Sequence, residues 1–181
     1  MRVITGTARG RRLKEPADME QRPTTDKVKE SLFNIIQFDI AGRQVLDLFA
    51  GTGQLGIEAL SRGAQHATFV DCSNKAVALV KENLRRTGLE AQASVLRGDW
   101  KEALRRSEEK YDVIFLDPPY DTELLKNALR QIADIDILSG NGIIACESRA
   151  DAVLPQLDAP YEQVSQHKYG KIMLTIYTRR G

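Results

Sequence analysis

The sequence is poor in the residues that mark several functional classes. Its two cysteines, Cys72 and Cys146, stand far apart and in no metal-ligand spacing, which argues against a disulfide framework or a zinc site. Both are expected as reduced thiols in the core of a cytoplasmic protein. No apolar run approaches the roughly 20 residues of a membrane span, and the N-terminus carries no apolar signal region. No membrane partner is expected. Repeats, low-complexity tracts and linkers are lacking too, and 181 residues fit one domain with a real core. A formal net charge of +1 argues against nucleic-acid binding through overall basicity.

What is present is an alternation of strand-like and helix-like runs. "QVLDLF", "HATFVD", "ASVLRG", "YDVIFLD" and "NGIIACES" read as strands. Helices are expected to begin near Gln54, Ser73, Trp100 and Thr122, with a shorter one near Ala150. Parallel strands need crossovers of that length, so an α/β sheet with helices on both faces follows. Upstream, "RPTTDKVKESLFNII" predicts a further helix. Thr24 or Thr25 would cap it, and Val28, Leu32, Ile35 and Ile36 share one face. "RVITG" and "RRLKE" suggest a small N-terminal β-hairpin, and the tail predicts a second hairpin about Tyr169-Gly170. Five α/β units closed by an antiparallel hairpin resemble the seven-stranded, Rossmann-like sheet of class I S-adenosylmethionine-dependent methyltransferases.

Within "VLDLFAGTGQLGIEAL", Gly51, Gly53 and Gly56 satisfy G-x-G-x-x-G between a strand and a helix. Alone, that motif admits both NAD and adenosylmethionine. Asp47, four residues before Gly51, separates them somewhat. A carboxylate is unwelcome beside a pyrophosphate but suits an ammonium or its bridging water. Asp47, Asp71 and Asp99 close three successive predicted strands, the edge where open α/β sheets bind ligands. The set Asp47, Phe49, Ala50, Gly51 and Gly53 resembles motif I of class I methyltransferases. That resemblance implies Asp71, with Cys72 beside it, at the ribose hydroxyls and Asp99 at the adenine amine. Trp100 is either packed on the adenine or a core residue.

"VIFLDPPYDTE" ends a buried strand on Asp117, Pro118, Pro119 and Tyr120. An exocyclic base amine is a poor nucleophile, because its lone pair is delocalised into the ring. Acceptors aimed at its N–H groups favour a pyramidal nitrogen and free that pair. Asp117 offers a carboxylate, and Pro118 a carbonyl restrained by Pro119. Tyr120 offers a face on which an extruded base can stack. "DPPY" resembles motif IV of the amino-methyltransferases.

No residues are left for a separate target-recognition domain, so a substrate recognised by shape is expected rather than one read by base sequence. "MRVITGTARGRRLK" carries Arg2, Arg9, Arg11, Arg12 and Lys14 without an acid. It reads as a phosphate-contacting arm, with Arg22 beyond it. "RPTTDKVKESLFNII", "DLFAGTGQLGIEALSRGA", "FLDPPY" and "YGKIMLTIY" together resemble the RsmD family of bacterial 16S rRNA guanine-N2 methyltransferases. The resemblance runs nearly end to end. It implies an S-adenosylmethionine-dependent cytoplasmic enzyme, expected as a monomer, with residues 1–23 as a basic extension and 24–181 as catalytic core. Its target would be one guanine of 16S rRNA in an assembled or late-assembly 30S subunit. The alternatives are another amino-methyltransferase, on DNA adenine, another RNA base or a protein glutamine, a non-catalytic RNA-binding module, or a nicotinamide-dependent dehydrogenase.

Overall fold

The computed structural model describes residues 1–17, 25–119 and 122–181, with the backbone alone at Thr122. Seven strands form one sheet in the order β3-β2-β1-β4-β5-β7-β6. They are β1 (Gln44–Asp47), β2 (His66–Asp71), β3 (Ala93–Arg97), β4 (Tyr111–Leu116), β5 (Leu138–Arg149), β6 (Tyr161–Tyr169) and β7 (Ile172–Arg179). β1 to β5 pair in parallel, and β7 is antiparallel to both β5 and β6. The helices are α1 (Asp26–Ile35), α2 (Gln54–Ser61), α3 (Asn74–Thr87), α4 (Trp100–Arg106) and α5 (Thr122–Ile135).

Period two in the strands divides the core. Val45, Ala67, Phe69, Val113 and Phe115 join Phe33 of α1 and Ile57 of α2 on one face. Leu46, Val70, Ile114 and Leu116 meet Leu104 of α4 and Leu129 of α5 on the other. Alternation carries Asp47 onto the first face beside Val45. The sequence gives α1 its start through Thr25, whose Oγ1 accepts the Val28 N–H at 3.3 Å. Val28, Leu32, Phe33 and Ile36 are buried along that helix, while Ile35 is half-buried.

Three expectations are corrected. The N-terminal hairpin is shorter than expected, built about one antiparallel bridge, Arg2 to Arg12. The Val3 and Leu13 N–H groups donate to the Arg11 and Met1 carbonyls, and the Gly10 N–H to the Val3 carbonyl. Residues between the two arms also bond α2: Ile4 and Thr5 N–H groups donate to Glu58, and the Ala8 N–H donates to the Ser61 hydroxyl. The shorter helix near Ala150 does not form. The Ala150 N–H is held by the Lys171 carbonyl at 2.8 Å, and Pro155 and Pro160 follow in a segment without helix or strand. Cys146 is buried as expected, but Cys72 is exposed, because it lies just past β2 where the chain leaves the sheet.

Candidate active site

The glycine loop is shaped by two contacts that only glycine permits. Gly53 has φ +79°, in the left-handed region, where it turns the chain into α2. A Cβ on Gly56 would lie 2.3 Å from Phe69 Cε1, so its absence lets α2 lie directly on β2. With no side chain at Gly53 to cap α2, Asp47 does so from β1, its Oδ2 accepting the Gly56 N–H at 3.1 Å. Asp71 holds the other side of the loop. Its Oδ2 accepts the Gly51 N–H at 3.0 Å and its Oδ1 accepts the Ser73 N–H at 2.9 Å.

Asp47 is 1% exposed. Burial pushes its carboxyl up to about 8, the Gly56 N–H opposes this, and the nearby Asp117 and Asp71 add to it. Asp117, just past β4, and Asp71, at the end of β2, therefore both act on Asp47 at the end of β1. Asp117 follows β4 directly and is half-buried, with Pro118 buried and Pro119 exposed. Tyr120 and Arg22 lie outside the described residues. Phe49 and Trp100 meet with ring centroids 6.1 Å apart. Both pack partly on the second core and stay partly open, so Trp100 is a core residue packed against Phe49, next to the loop. Ala50 is buried in the first core. Asp99 is exposed, and its Oδ1 caps α4 by accepting the Lys101 and Glu102 N–H groups. A cavity of roughly 270 Å³ runs from Gly98 and Asp99 under α4 towards Tyr111, on the second face.

Sequence reasoning missed how the basic arm is fastened to this loop. Asn83 of α3, fully buried, accepts the Lys14 N–H at 2.7 Å through Oδ1. Its Nδ2 donates to the carbonyls of Lys14 and of Thr52, at 3.1 and 2.9 Å. Lys29 and Glu58 are buried together, 3.9 Å apart, and Lys29 Nζ donates to the Arg2 carbonyl at 2.6 Å. Burial lowers the Lys29 pKa, against the pull of Glu58 and Asp26. The arm's own cations, Arg2, Arg9, Arg11, Arg12 and Lys14, are all exposed. Arg2 lies 3.8 Å from Asp26, and Arg11 Nη1 donates to the Arg86 carbonyl at 3.0 Å.

The family model described as Conserved hypothetical protein 95 matches residues 1–178. The chain belongs to this family, the RsmD family. Ribosomal RNA small subunit methyltransferase D of Escherichia coli (strain K12) is 33% identical over 181 residues, covering 100% of this chain and 91% of that one. The protein of that name from Haemophilus influenzae is 36% identical, over 85% of this chain and 81% of its own. Among solved structures, the E. coli protein yhhF superposes with a TM-score of 0.88 at 32% identity, covering 99% of this chain and 98% of that one. The RsmD-family chain is thus a class I methyltransferase with S-adenosylmethionine as methyl donor. Its donor set fits that cofactor. The acidic groups of Asp47, Asp71 and Asp117 gathered at the loop favour a sulfonium and an ammonium, and disfavour the pyrophosphate of a dinucleotide. No helix among the described residues is long and apolar enough to cross a membrane.

Proposed function

We propose that this chain methylates the exocyclic N2 amine of one guanine in 16S rRNA, in an assembled or nearly assembled 30S subunit, acting as a monomer. Residues 24–181 form the catalytic core in this reading, and 1–23 a basic arm that grips rRNA phosphates. The observation that carries it is Asp117 at the end of β4, close enough to Asp47 to raise its carboxyl pKa. The relatives named small subunit methyltransferase D support the substrate.

S-adenosylmethionine supplies an electrophilic methyl group, and the chain supplies position. Asp71 would hold the ribose hydroxyls, and Asp99, whose Oδ1 caps α4, the adenine amine. Phe49 and Trp100 would wall the adenine, with Ala50 and Cys72 at the loop. Asp47 would face the ammonium, which favours its ionised form. At the other side, Asp117 and the Pro118 carbonyl accept the two N–H groups of the target amine. They draw its lone pair towards the methyl carbon, while Tyr120 stacks on the base. One amine proton then leaves through Asp117 to solvent. Orientation and fixed acceptors account for the rate, with no strong base required.

Labelled cofactor and unmethylated 30S subunits test this directly. A single modified guanine, carrying its methyl on N2, is expected. Asp117→Ala should lower the transfer rate by about 10²–10³ and leave cofactor affinity within a few-fold. Methylation of another base, or full activity in the variant, refutes the reading.

A further inference from the structure

The sheet edge that carries Asp117 has a second half. Asp47 and Asp71 end β1 and β2, Asp99 lies two residues past β3, and Asp117 follows β4. Beyond β4 the row continues β5-β7-β6. β5 runs parallel to β4, so it finishes at this same edge at Arg149, which pairs with Ile172 at the start of β7. Ile172 also pairs with Tyr169, the last residue of β6. The turn from Lys168 to Lys171 therefore projects from the edge where the target amine must lie, on the side opposite the cofactor.

That turn is built firmly. Gly170 adopts φ +61°, and the Lys171 carbonyl is held by the Ala150 N–H. Tyr169 packs partly on the first core. Lys168 and Lys171 are both exposed. Elsewhere the surface compensates many of its cations: Arg85 and Arg86 with Glu82, Arg106 with Glu102, Arg180 with Glu162. Even Arg149, beside the turn, is paired with Asp151 at 2.9 Å. Among the described residues, neither Lys168 nor Lys171 has a carboxylate within 4.0 Å, the limit of an ion pair.

We infer that Lys168 and Lys171 are a second phosphate-contacting surface for the RNA substrate. The inference rests on the rRNA reading above. The arm on α2 and α3 grips the backbone on the cofactor side, and the β6–β7 turn grips it on the far side. The target nucleotide at Asp117 lies between two anchored stretches of backbone. Contacts of this kind position the RNA without reading its bases.

The test compares two variants, each lacking two cations. One is Lys168→Ala with Lys171→Ala. The control is Arg105→Ala with Arg130→Ala, exposed positions on α4 and α5 over the second face. Affinity for unmethylated 30S subunits is measured at several salt concentrations, alongside Tm and cofactor affinity. The lysine variant should bind roughly tenfold more weakly, with a log–log salt slope shallower by about 1.5, since each neutralised phosphate contributes about 0.7–0.9. Its Tm, its cofactor affinity and the nucleotide it methylates should match those of the wild type, and the control should bind like the wild type. An unchanged slope in the lysine variant, or an equal loss in the control, overturns the inference while wild-type methylation of 30S subunits keeps the rRNA reading standing. A wild type that methylates no 30S guanine removes both.

Discussion

Replacing Asp47 with Asn separates two properties of the buried carboxyl, its hydrogen bond and its charge. The amide oxygen can still accept the Gly56 N–H that Oδ2 accepts now, so the cap on α2 survives. The titration does not. In the folded chain the Asp47 carboxyl is raised from 3.8 to about 8, first by burial and then by Asp117 and Asp71. A group raised on folding stabilises most at low pH. Its contribution is complete below about pH 4 and is lost as pH climbs through about 8. Between pH 5 and pH 8 the loss is on the order of 4 kcal/mol, at about 1.4 kcal/mol per pH unit. Asn has no such dependence. Denaturant unfolding of both proteins at pH 5, 6, 7 and 8 should show the variant gaining on the wild type by at least about 2 kcal/mol across that span, allowing for water penetration and relaxation around the charge. Taking the difference between variant and wild type cancels the groups that titrate alike in both. Cofactor binding supplies an independent readout. An ammonium beside Asp47 favours its ionised form, so wild-type binding near pH 7 should release a proton. Calorimetry in buffers of different ionisation enthalpy detects that release. The Asn variant should release fewer protons and bind more weakly. Parallel stability curves, together with equal proton release, would refute this account of Asp47.

Asp71→Ala should weaken cofactor binding by about 10- to 100-fold, equivalent to one charge-assisted hydrogen bond of roughly 1.5–3 kcal/mol. It should change the rate at saturation much less, and unchanged affinity by calorimetry would remove the ribose role. Replacing Arg9, Arg11 and Arg12 together with Ala should make the salt dependence of 30S binding shallower by roughly 2 log units per log unit of salt. Cofactor affinity should be retained, and an unchanged slope would make the run a solvated arm.

The α/β alternation is legible because strands and crossover helices carry different hydrophobic periods, and the hydrogen bonds within the helices are local. Thr25, Ser73 and Gly53 mark helix starts for the same reason. The site's edge was legible too, since Asp47 and Asp71 are the last residues of β1 and β2. What escaped depends on partners distant in sequence. Lys29 and Glu58 look like solvent-facing charges in any helical pattern, yet both are fully buried because they face one another and the arm. Asn83 looks like an ordinary polar position on α3, since its partners Lys14 and Thr52 lie 69 and 31 residues away. The sequence predicts β5 from Asn141, whereas pairing of Leu138 with Tyr111 extends the strand backwards. Asp99 was legible as an acid at a strand end, but not its cap on α4, which needs the chain to turn immediately.

The side chain of Asn83 has a thermodynamic corollary. One rigid amide bonds both to the stretch bearing Arg11, Arg12 and Lys14 and to the carbonyl of Thr52 in the glycine loop. Any ligand that tightens one end of that amide restricts the other. If RNA binds the arm as proposed, whatever factor it changes cofactor affinity by is the factor by which cofactor changes RNA affinity, because binding free energies are reciprocal. The enzyme's two substrates are then joined by a single energetic ledger, whichever arrives first.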